Sequence, residues 1–319
     1  MLLAVAGFSD SLIGDPSSVG SAADGETITV KGPTQLSVYE DGGVYLGEEY
    51  FVPKKHVETV LFMGIDQMRE TMEDTTYNEQ ADFIMLMVID RDAEQFTMLH
   101  LNRDTMCDVM RLSDMNEKLG RYRVQLAVAH VFGNNERARC RNVVDAVENL
   151  LYGIEIDHYI SLTMDAIPIL NDEIGGVTLT LSEDLTKLDP SFENGATVTL
   201  KGSKALSYVR ARMSVGDGSN LGRMNRQRQY LTALFDKYRE RGGGDFTKSL
   251  LKVNDYMDSD CTIEQLQRIA DMVMQYEFLG IDTTEGEAVI GEQYMEYIID
   301  EPQLQKQVIN LFYTKKETP

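Results

Sequence analysis

Residues 81–105 read ADFIMLMVIDRDAEQFTMLHLNRDT. Phe83 to Ile89 and Phe96 to Leu101 are two apolar runs of strand length. Between them stands Asp90-Arg91-Asp92-Ala93-Glu94, a connection whose length suits an antiparallel pair. Upstream, VETVLFMG (57–64) is a further buried-strand run, followed by a polar loop from Asp66 to Ala81. Each run ends in charge: Asp66 follows the first, Asp82 begins the second, and Asn102-Arg103-Asp104-Thr105 follows the third.

Downstream the period changes. Leu119 to Phe132 and Arg139 to Leu151 are predicted helical, the second because Val143, Val144, Val147 and Leu150/Leu151 share one face. His158 to Leu162 is predicted a strand, Met164 to Ile174 a helix stopped by Gly175-Gly176, and Val177 to Leu181 a strand. Gly202 to Tyr208 opens a short helix, and Leu221 to Arg241 a long one that ends at three glycines. Residues 245–319 are expected to be mostly helical, with a strand near Glu287 to Ile290. At the other end, residues 1–25 read as a flexible leader, and Glu26 to Gly47 as a hairpin turning at Asp41-Gly42-Gly43. No fixed-period repeat occurs. The expectation is one α/β domain over 26–319, with a motif-bearing core at 57–241 and the C-terminal part packed on it.

The 319-residue chain carries a formal net charge of -22 and 43% hydrophobic residues. That acidity argues against general nucleic-acid binding and against docking on an anionic membrane, and no helix-turn-helix lies beside a basic surface. Cys107, Cys140 and Cys261 are too few and too scattered for a disulfide framework or a zinc site. His56, His100, His130 and His158 show no metal-binding spacing, His158 reads as structural, and no GxSxG or P-loop occurs. The longest apolar runs, Leu2 to Phe8 among them, fall far below the roughly twenty residues of a membrane span. A soluble cytoplasmic protein and one whose anchor lies outside this sequence both stay open.

Against the acidic background, Arg210 to Arg228 holds five arginines and no lysine, opposed only by Asp217. Arginine is the side chain that grips phosphate oxygens bidentately. In an extended segment Arg210 and Arg212 would share a face; on a helix Arg223, Arg226 and Gln227 would share another. Gly222 permits close approach of a backbone or ligand. Asp66 and Asp82, at the ends of buried strands, offer hard oxygen ligands of the kind Mg²⁺ takes. Arg103 stands where it could meet a phosphate, with Asp104 to orient it.

Taken in order, these blocks resemble the LytR-CpsA-Psr family of bacterial cell-envelope phosphotransferases. The likeness is carried by VLFMGIDQMR (60–69), ADFIMLMVID (81–90), FTMLHLNRDT (96–105), GIEIDHYISLTMDAIPILNDEIGGVTLTL (153–181), and LKGSKALSYVRAR (200–212) with GRMNRQRQ (222–229). The resemblance implies a central mixed β-sheet flanked by helices, with an apolar pocket for a lipid. It implies transfer of a glycopolymer phosphate, of teichoic acid or a capsular or wall polysaccharide, from a polyprenyl-pyrophosphate carrier to peptidoglycan. It further implies an extracytoplasmic domain tethered by an N-terminal helix that this sequence lacks. By block position, Asp66 and Asp82 correspond to residues that hold Mg²⁺, with Mn²⁺ as a substitute. Arg69, Arg103, Arg210, Arg212, Arg223 and Gln227 correspond to pyrophosphate contacts, with Arg226 nearby. Gln80-Ala81 stand where the family usually has Arg-Ser, Asn102 where Pro is common, and Leu126-Ala127-Val128 in place of Ile-Asn-Ala. Catalysis would rest on Arg103, Asp82 and Asp66, with Asp82 the first choice of base. Two other readings stay open at this point: a polyprenyl-pyrophosphate hydrolase, and a non-catalytic polyprenyl-phosphate binding module.

Overall fold

The computed structural model describes residues 42–66, 79–212, 215–241, 244–292 and 294–316. The 1–25 leader and Arg69 lie outside these residues, as does most of the Glu26 to Gly47 hairpin. The described hairpin comes slightly later: β1 (Val44–Leu46) and β2 (Glu49–Pro53) pair with Leu46 opposite Glu49. Its turn needs Gly47, whose φ of 63° is left-handed.

The three apolar runs are the centre of the molecule: β3 (Val57–Ile65), β4 (Ala81–Asp90) and β5 (Gln95–Leu101). As expected, β4 and β5 are antiparallel, with Asp90 opposite Gln95 and Ile84 opposite Leu101. After them β6 (Met106–Leu112) and β7 (Lys118–Gln125) form a hairpin, then a 3-10 turn spans Leu126–Val131. This corrects the helix expected from Leu119 to Phe132. Most of β7 is exposed, so it has no apolar stripe to hold a helix on the core, and Gly120 sits at a non-helical φ of 125°.

The next elements are α1 (Glu136–Leu150), β8 (His158–Thr163), α2 (Ala166–Glu173), β9 (Val177–Thr180), β10 (Thr197–Leu200), α3 (Ser203–Arg210) and α4 (Asn220–Arg241). Asn135 caps α1 by accepting from the Ala138 amide at 3.0 Å. The chain then runs through α5 (Gly244–Lys252), β11 (Met257–Ser259), α6 (Ile263–Gln275), β12 (Glu277–Thr283), β13 (Gly286–Ile290), β14 (Met295–Ile299), α7 (Glu301–Phe312) and β15 (Tyr313–Lys315). The C-terminal part is therefore not mostly helical, because β11 and β12 supply both edges of the central sheet. Both edge strands are half-exposed, so their sequences lack a long apolar run.

That sheet is six-stranded and mixed, in the order β11-β8-β3-β4-β5-β12, with β3/β8 and β5/β12 parallel. Successive side chains of a strand face opposite ways. Leu61, Met63, Ile65, Leu86 and Leu99 accordingly pack on α1 and on Leu304, Val308 and Phe312 of α7. Val60, Met85, Met87 and Met98 pack instead on Phe235 of α4, Leu250 of α5 and Ile269 of α6. The result is three layers, helix on sheet on helix, which is why these strands are apolar on both faces. A third cluster packs the β9/β10 hairpin against α3 and α4. No helix among the described residues is long and apolar enough to cross a membrane.

The edge strand β12 is fastened to β5 by Phe96 and Phe278, stacked at 5.0 Å between centroids, with the Arg239 guanidinium over both rings. Phe96→Ala should lower the unfolding free energy by about 3–5 kcal/mol, the usual cost of truncating a buried Phe. Urea titration would show this as a lower midpoint, with a single transition if β12 folds with the sheet.

Candidate functional site

Antiparallel pairing of β3, β4 and β5 brings three charged segments to one end of the sheet. Ile65 pairs with Ala81 and Ile84 with Leu101, so Asp66, Asp82 and Arg103 all emerge there. Thr163, opposite Ile65 at the end of β8, joins them. The end of α3 brings Arg210 and the start of α4 brings Arg223.

Asp82 is the hub. Its Oδ1 takes a hydrogen bond from Arg103 Nη1, and its Oδ2 lies 2.8 Å from Arg223 Nη1. Its side chain is only 7% exposed, and that of Arg223 4%. Arg103 also donates to Gln80 Oε1, and its Nε lies 3.3 Å from Asp104 Oδ1. Asp104 Oδ2 faces Arg212 Nη2 at 3.7 Å, while Asp66 Oδ1 faces Arg210 Nη2 at 2.9 Å. Four guanidiniums thus meet three carboxylates in one cradle, the outer pair, Arg210 and Arg212, being 42% and 27% exposed.

Several polar atoms in this cradle have no hydrogen-bond partner although buried. They include Asp66 Oδ1, whose approach to Arg210 falls outside hydrogen-bond geometry, Arg212 Nε, Thr163 Oγ1 and Gln227 Oε1. Buried orphans are rare and mark strain or a place for a ligand, ion or water. Burial, with Asp82 alongside, raises the pKa of Asp66 against the pull of Arg210, Arg223 and Arg103. Burial likewise raises Asp104, against Arg103, Arg212 and Arg223. His100, fully buried behind the site, is pushed down to about 3 by burial and by Arg228 and Arg223, so it is neutral.

The arginine cluster divides. Arg210 is the last residue of α3, so Arg210 and Arg212 do not lie on one extended segment. Arg223, Arg226 and Gln227 do share the inner face of α4, but Arg226 turns away from Asp82. It pairs with Glu183 at 2.7 Å and donates to the carbonyls of Tyr208 and Ala211, tying α3 to α4. Arg228 donates to Asn225 on its own helix. The close approach that Gly222 permits is made by Asp217, whose Oδ1 would lie 2.8 Å from an added Cβ.

Sequence reasoning missed three residues that position the arginines. Asn220 Oδ1 accepts from Arg223 Nε and Nη2 at 3.1 and 2.7 Å. Asn220 Nδ2 donates to Asn102 Oδ1 at 2.6 Å, and Asn102 Oδ1 also accepts from the Asp104 amide at 3.0 Å. Gln80 fixes Arg103. Two of the three are positions where the chain departs from the usual family pattern, which was the available signal.

Beside the cradle an apolar cavity of about 170 Å³ opens between the sheet and α2, α4 and α5. Phe62, Gly64, Phe83, Met85, Leu231 and Leu234 line it, and Gln227 and Thr163 are its polar residues. Gln227 stands about one helical turn beyond Arg223. Apolar wall and charged cradle are therefore continuous along α4.

The LytR_cpsA_psr family model matches residues 34–312. The chain belongs to the LytR-CpsA-Psr family. Among its relatives is a polyisoprenyl-teichoic acid–peptidoglycan teichoic acid transferase, TagU, of Enterococcus faecalis, 27% identical over 81% of this chain and 80% of that protein. The TagU of Halalkalibacterium halodurans is 29% identical over 55% of this chain, which spans about half (51%) of that relative's length. The solved structure of Bacillus subtilis TagV superposes with a TM-score of 0.61 at 22% identity, covering 81% of this chain and 96% of that one. A structure of TagT bound to LIIa-WTA gives 0.62 at 20% identity, covering 84% and 93%. Both share the α/β fold with the central mixed sheet that the family resemblance implied.

Two outcomes follow from the buried charges. Arg223→Met leaves Asp82 with one cationic partner and should cost about 3–5 kcal/mol in urea unfolding, as removal of one member of a buried pair does. Because the folded pKa of Asp104 is raised, its contribution to stability is full below the ordinary value of 3.8 and is lost as pH rises through the folded value. Asp104→Asn removes that loss. The stability of Asp104→Asn relative to the parent should therefore climb from pH 3.8 upward and then level off, as read from urea midpoints at each pH.

Proposed function

We propose that this chain transfers a glycopolymer phosphate, of teichoic acid or another wall or capsular polysaccharide, from a polyprenyl-pyrophosphate carrier to a peptidoglycan hydroxyl, outside the cytoplasmic membrane. The observation that carries this reading is the continuity of an apolar cavity with a cradle of arginines. One molecule has both halves: an isoprenoid chain for the cavity and a pyrophosphate for the guanidiniums. The named activity of the E. faecalis relative agrees with it.

Arg210 and Arg212, the more exposed pair, would grip the pyrophosphate bidentately. Arg103 and Arg223 are held by Asp82 and need no rearrangement to face developing negative charge. The acceptor hydroxyl oxygen bonds to the polymer-side phosphorus as the bridging P–O bond breaks, and the electron pair leaves on the lipid phosphate. The hydroxyl proton goes to a carboxylate. Asp66 suits this role better than Asp82, since both Asp82 oxygens already accept from arginine while Asp66 Oδ1 accepts no hydrogen bond.

Asp66 also fits Mg²⁺, which takes one or two protein carboxylates and leaves the rest of its shell to phosphate and water; Asp82 would join it only by giving up an arginine. Bound through the Asp66 oxygen that does not take the proton, such a cation would offset the repulsion from Asp82 that helps raise Asp66. When bound it supplies charge neutralisation of the pyrophosphate. Mn²⁺ suits the same oxygens.

The test uses the paired variant Arg210→Ala/Arg212→Ala, because Arg103→Ala would also uncover Asp82 and confuse stability with activity. With lipid-pyrophosphate-linked polymer and peptidoglycan, transfer should fall by about 10²-fold or more, the scale of a lost transition-state donor. The urea midpoint should hardly move, since both side chains are partly exposed. Parent-like transfer would defeat the assignment. Free polymer in place of peptidoglycan-linked polymer would make the protein a hydrolase, and lipid binding without turnover under Mg²⁺ would make it a binding module.

A further inference from the structure

On the α1 side of the sheet, apart from the arginine cradle, three side chains of different chemistry converge. His130 stands one residue before the end of the 3-10 turn, and Glu136 and Cys140 stand one helical turn apart at the start of α1. His130 and Cys140 are fully buried, and the Glu136 side chain is 36% exposed. His130 Nε2 lies 3.2 Å from Glu136 Oε1, Cys140 Sγ 3.7 Å from His130 Nε2, and Cys140 Sγ 3.8 Å from Glu136 Oε1.

We propose that His130, Glu136 and Cys140 form a Zn²⁺ site. A tetrahedral zinc ion with bonds of about 2.3 Å to sulfur and about 2.0–2.2 Å to nitrogen and oxygen holds its ligand atoms roughly 3.4–3.6 Å apart. The three spacings, 3.2, 3.7 and 3.8 Å, lie within about 0.2 Å of the edges of one face of that tetrahedron. The histidine is already set in the ligating tautomer. Its Nδ1 lies 2.7 Å from the Glu79 carbonyl oxygen, so Nδ1 carries the proton and donates. Nε2 faces the Glu136 carboxylate at hydrogen-bond distance, a place that a proton fills in the metal-free protein and that a zinc ion would take on binding. A ring nitrogen donating to a carbonyl while the other binds metal is the usual support of a zinc histidine.

Charge balances as well. The ion's two positive charges meet one carboxylate and one thiolate, Cys140 giving its proton to solvent as the bond forms. The fourth position falls to water, reached past the exposed edge of Glu136. Imidazole with thiolate selects zinc over the hard cations that the aspartates of the cradle suit. The other cluster of similar composition, His158, Asp260 and Cys261, is less fit, because Asp260 is committed to Arg141 at 2.6 Å and to the Tyr159 amide at 2.9 Å. The site is a support and not a catalyst. Through Glu79, whose carboxylate pairs with Arg139, it fixes the approach to β4 next to Gln80, the partner of Arg103.

The full chain, stripped of metal with a chelator, is titrated with Co²⁺ and then with Zn²⁺. One equivalent of Co²⁺ should give a thiolate-to-cobalt charge-transfer band with tetrahedral d–d bands, and Zn²⁺ should displace it. The band should vanish in Cys140→Ser and persist in Cys261→Ser. Should Cys140→Ser, a change in the core, fail to fold, Glu136→Gln alters a partly exposed side chain instead. It should weaken Zn²⁺ binding by at least about tenfold with an unchanged circular dichroism spectrum. No thiolate band in the folded parent, a band that survives Cys140→Ser, or parent-like affinity in Glu136→Gln would each overturn the proposal.

Discussion

A carboxylate buried at the start of a central strand is the constraint on which the functional end of this molecule depends. Asp82 is nearly shielded from water, and its charge is tolerable only because Arg103 and Arg223 each donate to one of its oxygens. Those arginines come from different elements, the loop after β5 and the first turn of α4. Satisfying Asp82 therefore fixes where α4 begins relative to the sheet. It also holds two guanidiniums in fixed positions at this end of the sheet, the preorganisation on which the proposed phosphate transfer would draw.

The same helix builds the apolar half of the site. One face of α4 presents Arg223 and Gln227 near its start, then Tyr230, Leu231, Leu234 and Phe235 further along. Since α4 lies over β3 and β4, Phe62, Gly64, Phe83 and Met85 supply the opposite wall. A single helix thus orders a polar and an apolar surface along its length. Arg226 on that face contributes by tying α3 to α4, which holds Arg210 beside Asp66.

Much of this was legible in the sequence. β3, β4 and β5 are strands because runs such as FIMLMVI bury on both faces, and burial on both faces is a local property of the run. Asp66, Asp82 and Arg103 stood out because charge at the end of such a run is abrupt. The arginines of 210–228 stood out against the acidic whole. The edge strands β11 and β12 did not, because both are half-exposed and gain their order from a neighbour far away in the chain. β7 was misread for the same reason: its partner β6, not its own periodicity, holds it extended.

What the sequence determined by itself was the family, the order of buried strands and a cluster of arginines and aspartates at their ends, because these depend on neighbours within a few positions. What only the tertiary structure decided was the use of each side chain. It separated Arg223, which faces Asp82, from Arg226, which faces Glu183, though both lie on one helix face. It joined Asn102 to Asn220 across 118 positions, and it brought His130 to Glu136 and Cys140 by folding a turn back on the helix that follows it. Contacts of that kind are fixed by where whole elements pack, and a pattern of residues along the chain carries no coordinate for that packing.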